Sequence, residues 1–317
     1  MRVFFKLIKK DLLRNNIIFI MAAVTLITII IFVPNFLTYR NIINVLNQSI
    51  FLCLLAVGLT PVLITGGIDL SLAAQMGLSG IVGALYMVNN GNIFIGILIM
   101  LLTGTIIGAF NGLCIAWGEM VPFIVTMSVM ILATGLSTLL AKAGSVSNLP
   151  QSFLNIYEIK IFTIPISIII ASIVIFIVYL IISKSTFGRL FYLTGTSENA
   201  ARCCGVKTKF IKFSAYMLGG LIAGVAAILL TIRMGISAPS LARENVILDY
   251  ITAVVIGGVS IYGGRGTIVG AVLGAIFITV VLNNSMNMIG IHYYTIIIIK
   301  GFVLIFIVLL GKLKTKI

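Results

Sequence analysis

The sequence predicts an all-α integral membrane protein of about ten transmembrane helices. Three observations carry that prediction. Of 317 residues, 61% are hydrophobic and only 9% are charged, a balance foreign to ordinary soluble domains. Apolar runs recur from end to end, and several reach the ~20 residues that a helix needs to cross a bilayer. The alternation of polar and apolar residues that marks a membrane β-barrel is absent.

In order, the expected spans are 17–33, 42–64, 68–88, 93–116, 121–141, 161–182, 210–232, 246–262, 266–284 and 293–310. The first 33 residues begin basic and turn apolar, as a signal peptide does. No small-residue cleavage site follows, so this stretch is taken as an uncleaved first span. Polar or glycine-rich sequence interrupts the third and eighth spans. The whole chain, 1–317, reads as one transmembrane domain with one long polar loop at about 184–209.

An even number of spans places both termini on one side. That side carries Arg2, Lys6, Lys9, Lys10 and Arg14, the loop residues Lys184, Arg189, Arg202, Lys207, Lys209 and Lys212, then Arg265, and the tail Lys312, Lys314 and Lys316. The opposite side has only Arg40, Lys142, Lys160, Arg233 and Arg243. Basic loops stay cytoplasmic, so both termini are expected there. The net charge of +14 therefore has a topological cause, and nucleic acid is not an expected partner.

Glycines mark close helix packing. Gly104, Gly108 and Gly112 recur at intervals of four, as do Gly266, Gly270 and Gly274; each triplet smooths one helix face. "GGI" at 66–68 and "GGV" at 257–259 each precede a "VGA", which raises the question of an internal duplication.

Asp69, in "TGGIDLS", stands out because a charge in hydrocarbon costs roughly 2.5–3.5 kcal/mol on insertion scales. Either it caps the third helix by accepting backbone N–H bonds, or it stands in a helix break beside a polar path. In the polar loop, "SENAARCCG" has a helix start at Ser197 with Glu198 in the first turn, and a stop at Gly205. That short helix is either a partner-docking element or a topological turn. "GGVSIYGGRGT" at 257–267 lacks the lysine of a phosphate-binding loop and reads as a membrane-surface turn. Asn47, Gln48, Asn111, Asn283, Asn284, Asn287, Tyr293 and Tyr294 either tie helices together or hydrogen-bond a hydroxylated solute. Arg243, Glu244 and Asp249 form either a surface ion pair or a docking point for an external binding protein. Cys53, Cys114, Cys203 and Cys204 have no metal-ligand spacing, the only histidine is His292, and the seven acidic residues are scattered. No metal site and no catalytic constellation is expected.

Three ordered blocks carry a family resemblance: "ITGGIDLSLA" at 64–73, "FGRLFYLTGTSENAARCCGV" at 187–206, and "ILDYITAVVIGGVSIYGGRGTIVGAVLGA" at 247–275 with "LNNSMNMIGIHYY" at 282–294. The chain resembles the permease subunits of ATP-binding-cassette (ABC) importers for ribose and other simple sugars. The resemblance implies a helix bundle working with a second permease, either a copy or a paralogue, in the cytoplasmic membrane of a bacterium. It implies an extracytoplasmic sugar-binding protein, and partner ATPase subunits that hold ATP and Mg, this chain binding no cofactor itself. It makes Glu198, Asn199, Ala200, Ala201, Arg202 and Gly205 the coupling segment that docks on the ATPase. Asp69, Ser71, Asn47, Gln48, Asn284 and Asn287 are the expected polar elements of a translocation path or gate. The chain departs from the family pattern at Pro61, Leu72, Ala73 and Thr295 and in "VILD", departures that bear on the substrate. Autoinducer-2, a nucleoside or another small polar solute is the alternative cargo. An ion-coupled secondary transporter is the alternative class, with Asp69 its one candidate coupling residue.

Overall fold

In the computed structural model, residues 36–302 are described, apart from 162, 243, 286, 287, 289–291 and 293. The expected first span, 17–33, and half of the tenth, 293 and 303–310, lie outside them. The chain divides into two units, one of residues 47–275 and one of the flanking segments.

Among the described residues, six helices are long and apolar enough to cross a membrane. They are α1 Tyr39–Ile64, α2 Leu72–Asn90, α3 Ile93–Ala116, α4 Pro122–Leu140, α5 Ile166–Tyr179 with a wide final turn to Lys184, and α8 Thr208–Met234. Between α5 and α8 lie the short helices α6 Thr186–Thr196 and α7 Glu198–Cys203. After α8 come α9 Glu244–Ile256 and α10 Ile268–Phe277, which runs on into a wide helical segment Ile278–Ser285. A short hairpin, Lys160–Ile161 against Ile164–Pro165, precedes α5.

Local chemistry sets the boundaries. The Asn92 side chain accepts the Ile95 N–H at 3.1 Å to start α3, Pro122 occupies the first turn of α4, and Ser185 accepts the Gly188 N–H at 2.9 Å to start α6. Two expected boundaries are corrected. The third span starts at Leu72, not 68, because residues 66–71 are not helical. The eighth reaches only from Glu244 to Ile256, ended by the Gly257–Gly258 turn.

Within residues 47–275, burial sorts the spans. About two-thirds or more of α1, α2 and α8 is buried, at 67%, 72% and 67%, against 22% for α3, 28% for α4 and 22% for α5. The first three helices form the interior. The others present apolar faces outward, such as Phe94, Leu98, Leu102, Ile106 and Phe110 along one side of α3. The expected glycine seam exists. A Cβ at Gly104 would collide with the Gly220 carbonyl of α8, and one at Gly108 with the Tyr216 carbonyl. Backbones meet where side chains would otherwise hold them apart. Two of the second triplet behave alike, since Gly270 lies against the Gly257 carbonyl and Gly274 against that of Ala253, on α9, whereas Gly266 precedes α10 at φ +150° and packs on Val259.

Candidate functional site

Between α1 and α2 the chain leaves the helix. Gly66 adopts φ +82°, a left-handed conformation that glycine takes without a steric penalty. Asp69 then turns its carboxylate inward, and the residue is 0% exposed. Its Oδ1 accepts both the Ser71 backbone N–H at 2.8 Å and the Ser71 hydroxyl at 2.5 Å. The Ser71 oxygen in turn accepts the amides of Gln75 at 2.7 Å and Asn111 at 2.8 Å. Ser71 is thus the hub of a buried polar cluster drawn from the break, α2 and α3.

Two tyrosines finish the break. Tyr216 of α8 donates to the Ile68 carbonyl at 3.2 Å, and Tyr250 of α9 donates to the Asp69 carbonyl at 3.1 Å. A side chain at 67 would occupy the place of the Tyr216 hydroxyl. Among the described residues no cation pairs with Asp69; neutral donors and the N-terminal end of α2 stabilise it instead. Asp69 Oδ2, Gln75 Oε1 and Asn111 Oδ1 have no hydrogen-bond partner among the described residues. Of the two expectations for Asp69, the cap is not met: Ser71 is the N-cap residue of α2, without a side-chain cap hydrogen bond, and the Asp69 carboxylate accepts the Ser71 N–H just ahead of the helix. Asp69 does stand in a helix break.

The three glycine-rich blocks converge here. The Ile64 carbonyl accepts the Gly264 N–H at 2.9 Å. Gly195 of α6 packs on that same carbonyl, and Gly263 faces the Gly66 backbone. Tyr192 of α6 also donates to the Gly266 carbonyl at 3.0 Å.

The segment after α6 is the second candidate element. Ser197 caps α7 by accepting the Ala200 N–H at 3.3 Å, and Gly205, at φ +79°, ends it. Asn199, Ala200, Arg202, Cys203, Cys204 and Gly205 are exposed, while Ala201 is buried. Glu198 turns back onto its own chain. It accepts Arg202 Nη2 at 2.6 Å, the Thr208 hydroxyl at 3.2 Å and Lys212 Nζ at 2.5 Å. Nearby, Lys209 pairs with Glu119 at 2.8 Å, and Trp117 meets Phe213 edge-on at 5.4 Å. Burial alone would raise the Glu198 carboxyl, but the Lys212 and Arg202 hydrogen bonds outweigh it and hold the group below its usual range.

The other expected path residues lie apart. Asn47 is buried and Gln48 exposed, both near the opposite end of α1, about 26 Å from Ile64 at 1.5 Å per helical residue. The Asn47 carbonyl accepts from Arg233 at 3.0 Å, and its side chain meets Ser167 at 3.5 Å. Asn284 belongs to the other unit, where its amide donates to Asn41 at 3.2 Å. Asn287 is outside the described residues. Gln75, Tyr216 and Tyr250 were not anticipated. The four-residue spacing of Ser71 and Gln75 is a visible signal for Gln75 alone; no spacing points to the two tyrosines.

The family profile described as "Branched-chain amino acid transport system / permease component" matches residues 41–308. The chain belongs to this permease family. It is a multi-pass membrane transport subunit, not an enzyme. It is 34% identical over 284 residues to the ribose import permease protein RbsC of Bacillus subtilis (strain 168), covering 89% of this chain and 88% of that one. It is 33% identical over 326 residues to the galactose/methyl galactoside import permease protein MglC of Haemophilus influenzae, covering 96% of each. It is 31% identical over 282 residues to the D-allose transport system permease protein AlsC of Escherichia coli (strain K12), covering 89% and 86%. No solved structure matches this permease.

Proposed function

We propose that this permease is the transmembrane subunit of an ATP-driven importer for a ribose-like monosaccharide. It has ten spans and both termini in the cytoplasm of a bacterium. It works beside a second permease, with ATP and Mg held by a partner ATPase and the sugar delivered by an extracytoplasmic binding protein. The observation that carries this is end-to-end likeness to sugar permeases, 34% identity to a ribose import permease among them, joined to an exposed, capped α7 in the polar loop. Asn199, Ala200, Arg202 and Gly205 form the docking face on the ATPase, with Ala201 packed beneath and Glu198 holding the helix in place. Asp69 and Ser71 belong to the gate. A hydroxylated, uncharged cargo needs few ionisable groups in the membrane, in keeping with a path built on one carboxylate and neutral amides.

The test is co-purification. The tagged permease, drawn from its native membrane in mild detergent, is expected to bring an ATPase subunit and ATP hydrolysis with it. Replacing residues 198–202 by a Gly-Ser linker is expected to lose both. Recovery of the intact chain alone, without any ATPase, would contradict the importer reading.

A further inference from the structure

One face of α8 touches both candidate elements. Thr208, Lys212 and Tyr216 recur at intervals of four, so they share that face. Thr208 and Lys212 hold Glu198 of α7. Tyr216, one turn further on, holds the Ile68 carbonyl in the break. Gly219, still on this face, packs against Gly58 of α1 and Leu72 at the start of α2. From Thr208 to Tyr216 the helix covers about 12 Å. α3 packs closely along this helix, Gly112 against Phe213, Gly108 against the Tyr216 carbonyl and Gly104 against the Gly220 carbonyl.

The contacts of Glu198 are unequal. Arg202 lies on α7 itself, and its pair with Glu198 closes within one short helix. Thr208 is the first residue of α8, where helices fray. Lys212 sits a full turn inside α8 and is less exposed than Arg202, 26% against 51% for the side chains. Its pair with Glu198 is therefore less screened by solvent.

Resting on the importer reading above, we propose that Lys212 is a positioning residue. Through Glu198 it fastens the α7 segment to α8, and α8 carries displacement of α7 to the break at 66–71 through Tyr216. α6 supplies a second, covalently linked route, since Gly195 packs on the Ile64 carbonyl. Loss of the latch is therefore expected to weaken transmission, not to abolish it.

Transmission across the membrane is read as the stimulation of ATP hydrolysis by the extracytoplasmic binding protein, measured on the complete complex in proteoliposomes. K212M is expected to assemble with the ATPase and keep unstimulated hydrolysis, while stimulation falls about fivefold or more. K212R, which keeps the charge, is expected to restore stimulation. Y216F, which removes the hydroxyl at the far end, is expected to behave as K212M does. If K212M does not fold, K212Q decides the matter on the same readout. Stimulation equal to wild type in a folded variant that lacks the Lys212 charge overturns the proposal. So does loss of the ATPase subunit from both K212M and K212R, which would make Lys212 a docking or folding residue. A wild-type complex that recruits no ATPase indicts the importer reading instead.

Discussion

Asp69 and Glu198 both stand at helix starts, and their surroundings differ in kind. Asp69 is fully buried, and its described partners are a backbone N–H and a serine hydroxyl, backed by two amides. Glu198 is half-buried and holds a lysine, an arginine and a threonine. In hydrocarbon a mobile cation would itself need desolvating, so neutral donors and a helix end are the cheaper stabilisers. At the membrane surface, long cationic side chains reach a carboxylate while remaining partly hydrated. The first arrangement is rigid and specific. The second ties α7 to α8 through paired charges, which suits a part that must transmit motion.

The largest expected effect breaks the buried cluster. Asp69→Ala leaves the Ser71 N–H and hydroxyl without an acceptor, and each buried donor left unpaired costs about 1–3 kcal/mol. Thermal unfolding in detergent is expected to show a much lower midpoint. Asp69→Asn keeps an acceptor oxygen and is expected to fall by clearly less. Equal losses would mean that the charge, not the hydrogen bonds, is what the cluster needs.

Ser71→Ala removes the hub but leaves the Asp69 bond to the backbone N–H. The amides of Gln75 and Asn111 lose their shared acceptor, a cost of about 1–3 kcal/mol. The same unfolding measurement checks it, and the loss is expected to lie between those of the two Asp69 variants.

Glu198 sharpens the other side of the comparison through pH. Its folded-state carboxyl titrates below the ordinary value of 4.5. Its contribution is therefore fully present above about that value and is lost as pH falls through the lower, folded one. Wild type is expected to lose midpoint below the carboxylate range, whereas Glu198→Gln is expected to lack that component. At neutral pH the wild type is expected to be the more stable of the two. The smallest effect belongs to the exposed Lys209–Glu119 pair. Lys209→Met is expected to leave the midpoint unchanged, because exposed ion pairs are worth little.

Much of this was legible in the residues. Ser197 and Gly205 bracket α7 because a serine cap and a left-handed glycine act locally. The helix break at Gly66 and the glycine seams also follow from nearby sequence. What a single chain cannot display is convergence. Asn111, Tyr216 and Tyr250 reach the break from three separate helices, and no spacing links them to Asp69. The inward turn of Glu198 depends on where α8 places Lys212, a tertiary fact. Asn47 and Gln48 looked like companions of Asp69 because all are polar, but helix rise puts them near the far end of α1.

The most direct test of the central claim is sugar uptake by the assembled system. Proteoliposomes holding the permease, its ATPase and the binding protein are loaded with ATP and Mg, then given labelled ribose under no ion gradient. Uptake that requires ATP, and that disappears when residues 198–202 become a Gly-Ser linker, is the predicted result. Uptake driven by a proton or sodium gradient without ATP, and lost in Asp69→Asn, would contradict the account and make Asp69 a coupling-ion site.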